Sequence, residues 1–141
     1  MRWTDRRFTF DLPEALFPVV IERLRGTPAR IEEKVRDLSP ALLTQRNGDA
    51  WSIQEHLGHL LDLDELHAGR LDDFLAGLPV LRPADVTNRR TWEAGYNERP
   101  TGDILGPFRK NREGFVARLE AWTRRCWRAP PSTPACNNPC G

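Results

Sequence analysis

The sequence predicts an all-α protein on three observations: three segments carry apolar residues at helical spacing, one of them opens on a capping box, and none shows sustained strand-like alternation. The first helix is predicted from about Pro13 to Leu38. Leu16, Val20, Leu24, Ile31, Val35 and Leu38 fall by threes, fours and one seven, which places them on one stripe facing a core. Asp11 is the expected N-cap, and Glu14 puts a negative charge at the positive end of the helix dipole. Gly26-Thr27-Pro28 interrupts the run. Proline lacks the N–H and clashes with the preceding turn, so the helix is expected to kink there or to restart with Thr27 as cap and Pro28 in the first position.

The polar stretch Thr44 to Ala50, with Asn47-Gly48-Asp49, reads as a turn. The second helix begins at Ser52. In Trp51-Ser52-Ile53-Gln54-Glu55 the serine hydroxyl can accept from the Glu55 amide while the Glu55 carboxylate reaches back to the serine amide. Ile53, Leu57, Leu60, Leu71, Phe74 and Leu75 then recur at helical spacing up to Gly77, a natural C-cap. Prolines 79, 83 and 100 bracket a long polar crossover with room for one short helix. The third long helix is predicted from about Ile104 to Arg124, on the stripe Leu105, Phe108, Arg112, Phe115, Leu119 and Trp122, with its start blurred by Gly106 and Pro107. Three amphipathic helices need a further partner to close a bundle core.

At 141 residues the chain allows one domain. Its 39% hydrophobic and 29% charged residues are those of a globular protein, and no apolar run approaches the roughly 20 residues of a membrane span. MRWTDRRFTF lacks the apolar core and cleavage site of a secretory signal, so a cytoplasmic location is expected, with no membrane partner. A net charge of +1 offers no field for nucleic acid. After Glu120 no acidic residue occurs, and Arg, Pro and Cys replace the helical pattern. The domain is therefore expected to span residues 1–125, followed by an irregular tail over 126–141, either disordered or the product of a shifted reading frame. Cys126, Cys136 and Cys140 all lie in this end and cannot staple the body of the fold.

The three histidines, His56, His59 and His67, share the capped helix. At about 100° per residue His56 and His67 lie near the direction of Leu60, while His59 is turned away from it and borders the core beside Leu63. A lone histidine there is either a hydrogen-bonded structural residue or a metal ligand. His56 and His59 are three apart and could share one ion, whereas His67 lies roughly 12 Å farther along the axis. Asp62, Asp64 and Glu65 point in different directions and form no acid–base pair, and Glu65 and Arg70 are expected as solvated or bundle-edge charges. No nucleophile motif, phosphate loop or dinucleotide fingerprint occurs.

The run Trp51-Ser52-Ile53-Gln54-Glu55-His56-Leu57-Gly58-His59-Leu60, followed by Asp62, resembles the W-S-x-x-E-x-x-x-H-L signature of the DinB-like and YfiT-like proteins. The similarity extends in order over roughly residues 10 to 120. It implies a four-helix up-down-down-up bundle, often dimeric, in which three histidines hold a divalent metal, most commonly nickel or zinc. It implies metal-assisted hydrolase or thiol-transferase chemistry on a small-molecule or thiol substrate, with the ion polarising a substrate or lowering the pKa of a bound thiol or water. Residue by residue, the motif places the first metal ligand on His59. The other two come, in the family, from a histidine pair on the final helix, for which this chain has no matching position. The expectation is a bundle whose fourth helix is missing or replaced by the irregular tail, with poor metal binding unless His56 or an external group substitutes. The rival expectation is a non-catalytic helical module that covers its open apolar face by self-association.

Overall fold

A computed structural model describes Arg7 and residues 13–128. A single 3-10 turn, Glu14–Leu16, leads into helix α1, Phe17–Val35, and Pro18 occupies the first turn, where a missing N–H costs no hydrogen bond. Asp11, the expected cap, lies outside the described residues. Helix α1 neither ends nor restarts at Thr27; it continues through Pro28. The carbonyl of Arg23, in the turn that Pro28 disturbs, accepts from the Thr27 hydroxyl at 2.6 Å and the Arg30 guanidinium at 2.7 Å. Those side chains supply local polar contacts where the proline interrupts the ladder.

The next element, helix α2 over Pro40–Thr44, was not legible in the apolar pattern because it is a single turn. Ser39 caps it, accepting from the Leu42 amide at 3.3 Å, and Leu43 is its one buried residue. The predicted turn follows, with Gly48 at a φ of 59°, a left-handed conformation that glycine adopts without steric cost.

Helix α3, Ile53–Leu75, starts on the predicted capping box: the Glu55 amide donates to Ser52 Oγ at 3.1 Å and the Ser52 amide to Glu55 Oε2 at 2.9 Å. Arg46, from the preceding turn, grips the same carboxylate with a fork of hydrogen bonds. The other end closes as predicted on Gly77, at a φ of 68°. Its amide donates to the Phe74 carbonyl at 3.0 Å and that of Leu78 to the Asp73 carbonyl at 3.0 Å, which is a Schellman motif.

The Arg46 fork and the capping box hold the buried Glu55 carboxyl at about 2, against an ordinary value of 4.5. Because the folded value lies below the unfolded one, the stabilisation is fully present above pH 4.5 and is lost as pH falls toward 2. The shift corresponds to a contribution on the order of 3 kcal/mol. Acid titration of urea stability should therefore show a steep loss over that window in the wild type and a shallower one in Glu55→Gln. Equal slopes in the two proteins would contradict this assignment.

The crossover contains helix α4, Arg89–Glu93, and a 3-10 turn, Tyr96–Glu98. Helix α5, Gly102–Arg128, begins ahead of the predicted Ile104, with Asp103, Ile104 and Leu105 amides bonded back to Pro100 and Thr101 carbonyls. Its backbone is helical through Arg128; the rest of the expected tail, residues 129–141, lies outside the described residues.

Ion pairs fix the directions of the long helices. Arg25 with Glu120 and Arg109 with Glu32 run α1 antiparallel to α5, while Arg112 with Asp64 and Arg118 with Asp72 run α3 parallel to it. The three long helices among the described residues are thus arranged up, down, down. Leu57, Tyr96 and Ile104 form the centre, with Ile31, Val35, Leu61 and Leu105 against them. Phe108 and Val116 continue the buried face of α5. The stripe of α1 is only partly a core stripe: Ile21 is buried, but Leu16 and Val20 are each 40% exposed. Helix α1 packs on α5 along one side, and Val19 and Val20 in its first turn stay exposed.

Candidate metal centre

The site residue expected from the sequence, His59, lies on α3 where the crossover folds over the helix. Two features of the crossover set that contact. Asp85 accepts the Thr87 and Arg89 amides, each at 2.9 Å, which ties up free N–H groups at the start of α4. Asn88 takes a left-handed φ of 55° and turns the chain into that helix. The result brings Thr91 down onto α3, where it is buried.

Nδ1 of His59 lies 3.1 Å from Thr91 Oγ1, and the Thr91 hydroxyl donates to Asp62 Oδ2 at 2.8 Å. The other oxygen of Asp62, Oδ1, accepts from the Tyr96 hydroxyl at 2.8 Å and pairs with Arg90 at 3.0 Å. Arg90 also reaches Glu65 at 2.6 Å. The imidazole packs against Trp51, with ring centroids 4.8 Å apart, and Trp51 in turn meets His56 and Trp92. Burial pushes the His59 imidazole below its ordinary pKa, outweighing the opposing effect of Asp62, and so favours the neutral ring needed for metal ligation. Burial, together with the hydrogen bond to Asp62, pushes the Tyr96 phenol up and keeps it a neutral donor.

His59 borders a cavity of about 340 Å³ between α3 and the crossover, whose wall includes Asp62, Glu65, Asp85, Arg90 and Thr91. The other sequence candidates separate from it. His56 is exposed, does not border the cavity and meets Trp51 edge-on, and His67 is exposed at the rim of the helix interface, its ring 6.4 Å from that of Phe115. Asp64 faces the opposite way and is buried against Arg112. Glu65 and Arg70 hold edge positions, Glu65 with Arg90 and Arg70 donating to the Arg82 carbonyl at 3.0 Å.

Thr91, Tyr96 and Arg90 were not singled out by sequence reasoning, and Asp62 carried no role there beyond its place after the motif. The signal available was the three-residue spacing of His59 and Asp62, which puts them on neighbouring turns of α3. The partners come from the irregular crossover, where periodicity carries no information.

Among the described residues no group of three His, Cys, Asp or Glu side chains is placed to hold a metal ion. Asp62, the carboxylate nearest in sequence to His59, is already engaged by Thr91, Tyr96 and Arg90. His59 is the one imidazole on this cavity wall, and the residues around it do not make up a three-ligand site.

No curated protein sequence matches this chain. A solved structure similar to it is that of YfiT from Bacillus subtilis, described as a probable metal-dependent hydrolase with an unusual four-helix bundle topology. The two share 17% sequence identity at a TM-score of 0.71, over 82% of this chain and 67% of that one, which establishes a common fold. Among the described residues no helix is long and apolar enough to cross a membrane. A family model described as the DinB superfamily matches residues 23–138, and on that match over most of its length the chain belongs to the DinB superfamily.

Proposed function

We propose that this protein is a divalent-metal-dependent enzyme of the hydrolase or thiol-transferase type, with His59 as the donor contributed by the described bundle. The observation that carries the reading is the state of His59: neutral through burial, tied at Nδ1, and set on the wall of a cavity large enough for a small substrate. Nickel and zinc are the ions whose preferences suit an imidazole donor. The set is completed from outside residues 13–128 or by an external group such as a thiol substrate, since the described residues hold no group of three donors.

Calorimetric titration of the metal-free full chain with zinc and nickel tests this. The expected result is one ion per chain at micromolar concentration, weakened at least about tenfold in His59→Ala and unchanged in His56→Ala. No binding at micromolar metal would overturn the reading.

A second reading has its own observation. An apolar cavity of about 450 Å³ opens between the long helices, bordered by Leu24 of α1, Leu71 and Phe74 of α3, and Phe115 and Leu119 of α5. Leu16, Val19 and Val20 are exposed on α1. Apolar surface of this kind favours a helical self-association module, a homodimer without catalysis. A chain that binds no metal yet sediments as a dimer would establish this second reading in place of the first.

A further inference from the structure

We infer that the apolar cavity between the long helices is a binding site for an amphipathic monocarboxylate, a small molecule with an aliphatic tail and one carboxylate. This cavity, of about 450 Å³, shares no lining residue with the one beside His59. Arg70, which borders it, lies roughly 16 Å beyond His59 along α3. Phe115 and Leu119 of α5 form one side, Leu24 of α1 a second, and Leu71 and Phe74 of α3 a third. Leu81 of the crossover adds a fourth, held there because Arg82 beside it donates to Asp73 through its backbone amide at 2.8 Å and its guanidinium at 2.7 Å. Of these six apolar side chains only Leu71 is buried. The others keep apolar surface that a ligand's tail would remove from water.

Two polar groups at the cavity point to the other half of the ligand. Trp122 Nε1 is buried with no hydrogen-bond partner among the described residues, and its ring meets Phe74 edge-on. A buried N–H without an acceptor is costly, and a ligand oxygen is what would satisfy it. Arg70 spends Nε on the Arg82 carbonyl at 3.0 Å, but among the described residues it pairs with no carboxylate. The acids nearest to it in sequence are taken: Asp72 by Arg118, Asp73 by Arg82 and Glu65 by Arg90. A ligand carboxylate would give this guanidinium a charge-assisted partner while the tail lies on Leu71 and Phe74. An apolar helix face or a second copy pressed onto the same surface would instead bury Arg70 with no counter-charge.

The test titrates the full chain with decanoate, decan-1-ol and decyltrimethylammonium, followed by calorimetry and by the indole N–H signals. The five tryptophans give few such signals, and Trp122→Phe assigns the one of interest. Decanoate is expected to bind saturably at submillimolar concentration, one per chain, and to move the Trp122 signal. Decan-1-ol should bind at least about tenfold more weakly, and the cation not at all. Arg70→Gln should weaken decanoate about tenfold and leave decan-1-ol unchanged, a split that lost packing would not produce. Decanoate binding should also be the same in His59→Ala, so its outcome is separate from that of the metal titration. Equal affinity of the wild type for decanoate and decan-1-ol would overturn the inference, even if Arg70→Gln failed to fold. So would full decanoate affinity in a folded Arg70→Gln. A chain that sediments as a dimer and takes up no decanoate would overturn it in favour of self-association through this surface.

Discussion

Replacing Arg112 with alanine is expected to destabilise the protein by about 3–5 kcal/mol, the usual cost of leaving one partner of a buried ion pair alone. Arg112 is 7% exposed and its partner Asp64 2% exposed, and they join the middle of α5 to the middle of α3. The guanidinium Nε lies 3.0 Å from Asp64 Oδ1 and 3.1 Å from Oδ2. Removing it strands a carboxylate buried in the helix interface. The pair itself is not thereby shown to be stabilising. A well-packed apolar pair at the same positions avoids the desolvation cost, so Asp64→Leu combined with Arg112→Met is expected to recover most of the loss. Urea unfolding of the two variants checks both statements. A loss below about 1 kcal/mol in Arg112→Ala would mean that Asp64 is not isolated from solvent.

The second large effect is expected at Gly58. It sits on α3 directly beneath Tyr96, and a Cβ there would overlap the aromatic ring, one of the best buried in the molecule. Alanine is ordinarily better than glycine inside a helix by about 1 kcal/mol. At this position overpacking, typically costing about 1–3 kcal/mol, should outweigh that gain. The consequence also reaches the site, because a displaced Tyr96 loses its 2.8 Å hydrogen bond to Asp62. Gly114 is the internal control: it is an exposed glycine within α5, with nothing within 4 Å of an added Cβ. Gly114→Ala should stabilise by roughly 0.5–1 kcal/mol while Gly58→Ala destabilises. Thermal unfolding that moved both variants in the same direction would contradict this account of Gly58.

Much of this architecture follows from short-range rules visible in the sequence. Ser52 and Glu55 start α3 and Gly77 ends it because the partners of a capping box and of a Schellman motif are only a few residues apart. The stripe on α5 predicted both buried Phe108 and buried Arg112, although nothing in a periodicity argument says that the arginine would find Asp64. On α1 the same reasoning reached too far. Leu16 and Val20 have the spacing of core residues but remain exposed, because spacing reports a shared face and not what covers it. At Pro28 the sequence allows a kink or a restart, and the restart does not occur: α1 runs through, with Thr27 and Arg30 serving the neighbouring carbonyl.

The candidate site divides along the same line. His59 was legible from its motif. Thr91, Tyr96 and Arg90 reach it only because Asn88 and Gly95 take left-handed conformations and fold an aperiodic crossover back over α3. A contact made through two such turns has no fixed sequence spacing. Asp62 shows the intermediate case: its helix position was known, but its role required the hydroxyls of Thr91 and Tyr96 to be placed.

The most direct test of His59 as the metal donor is to follow the imidazole signals during a zinc titration of the full chain. Only three histidines are present, His56, His59 and His67, so their signals can be assigned one by one through single substitutions. The account predicts that the His59 imidazole resonances move first and saturate near one zinc per chain, while His67 is unaffected. A titration in which His56 or His67 responds while His59 stays unchanged, or in which none of the three responds, would contradict it.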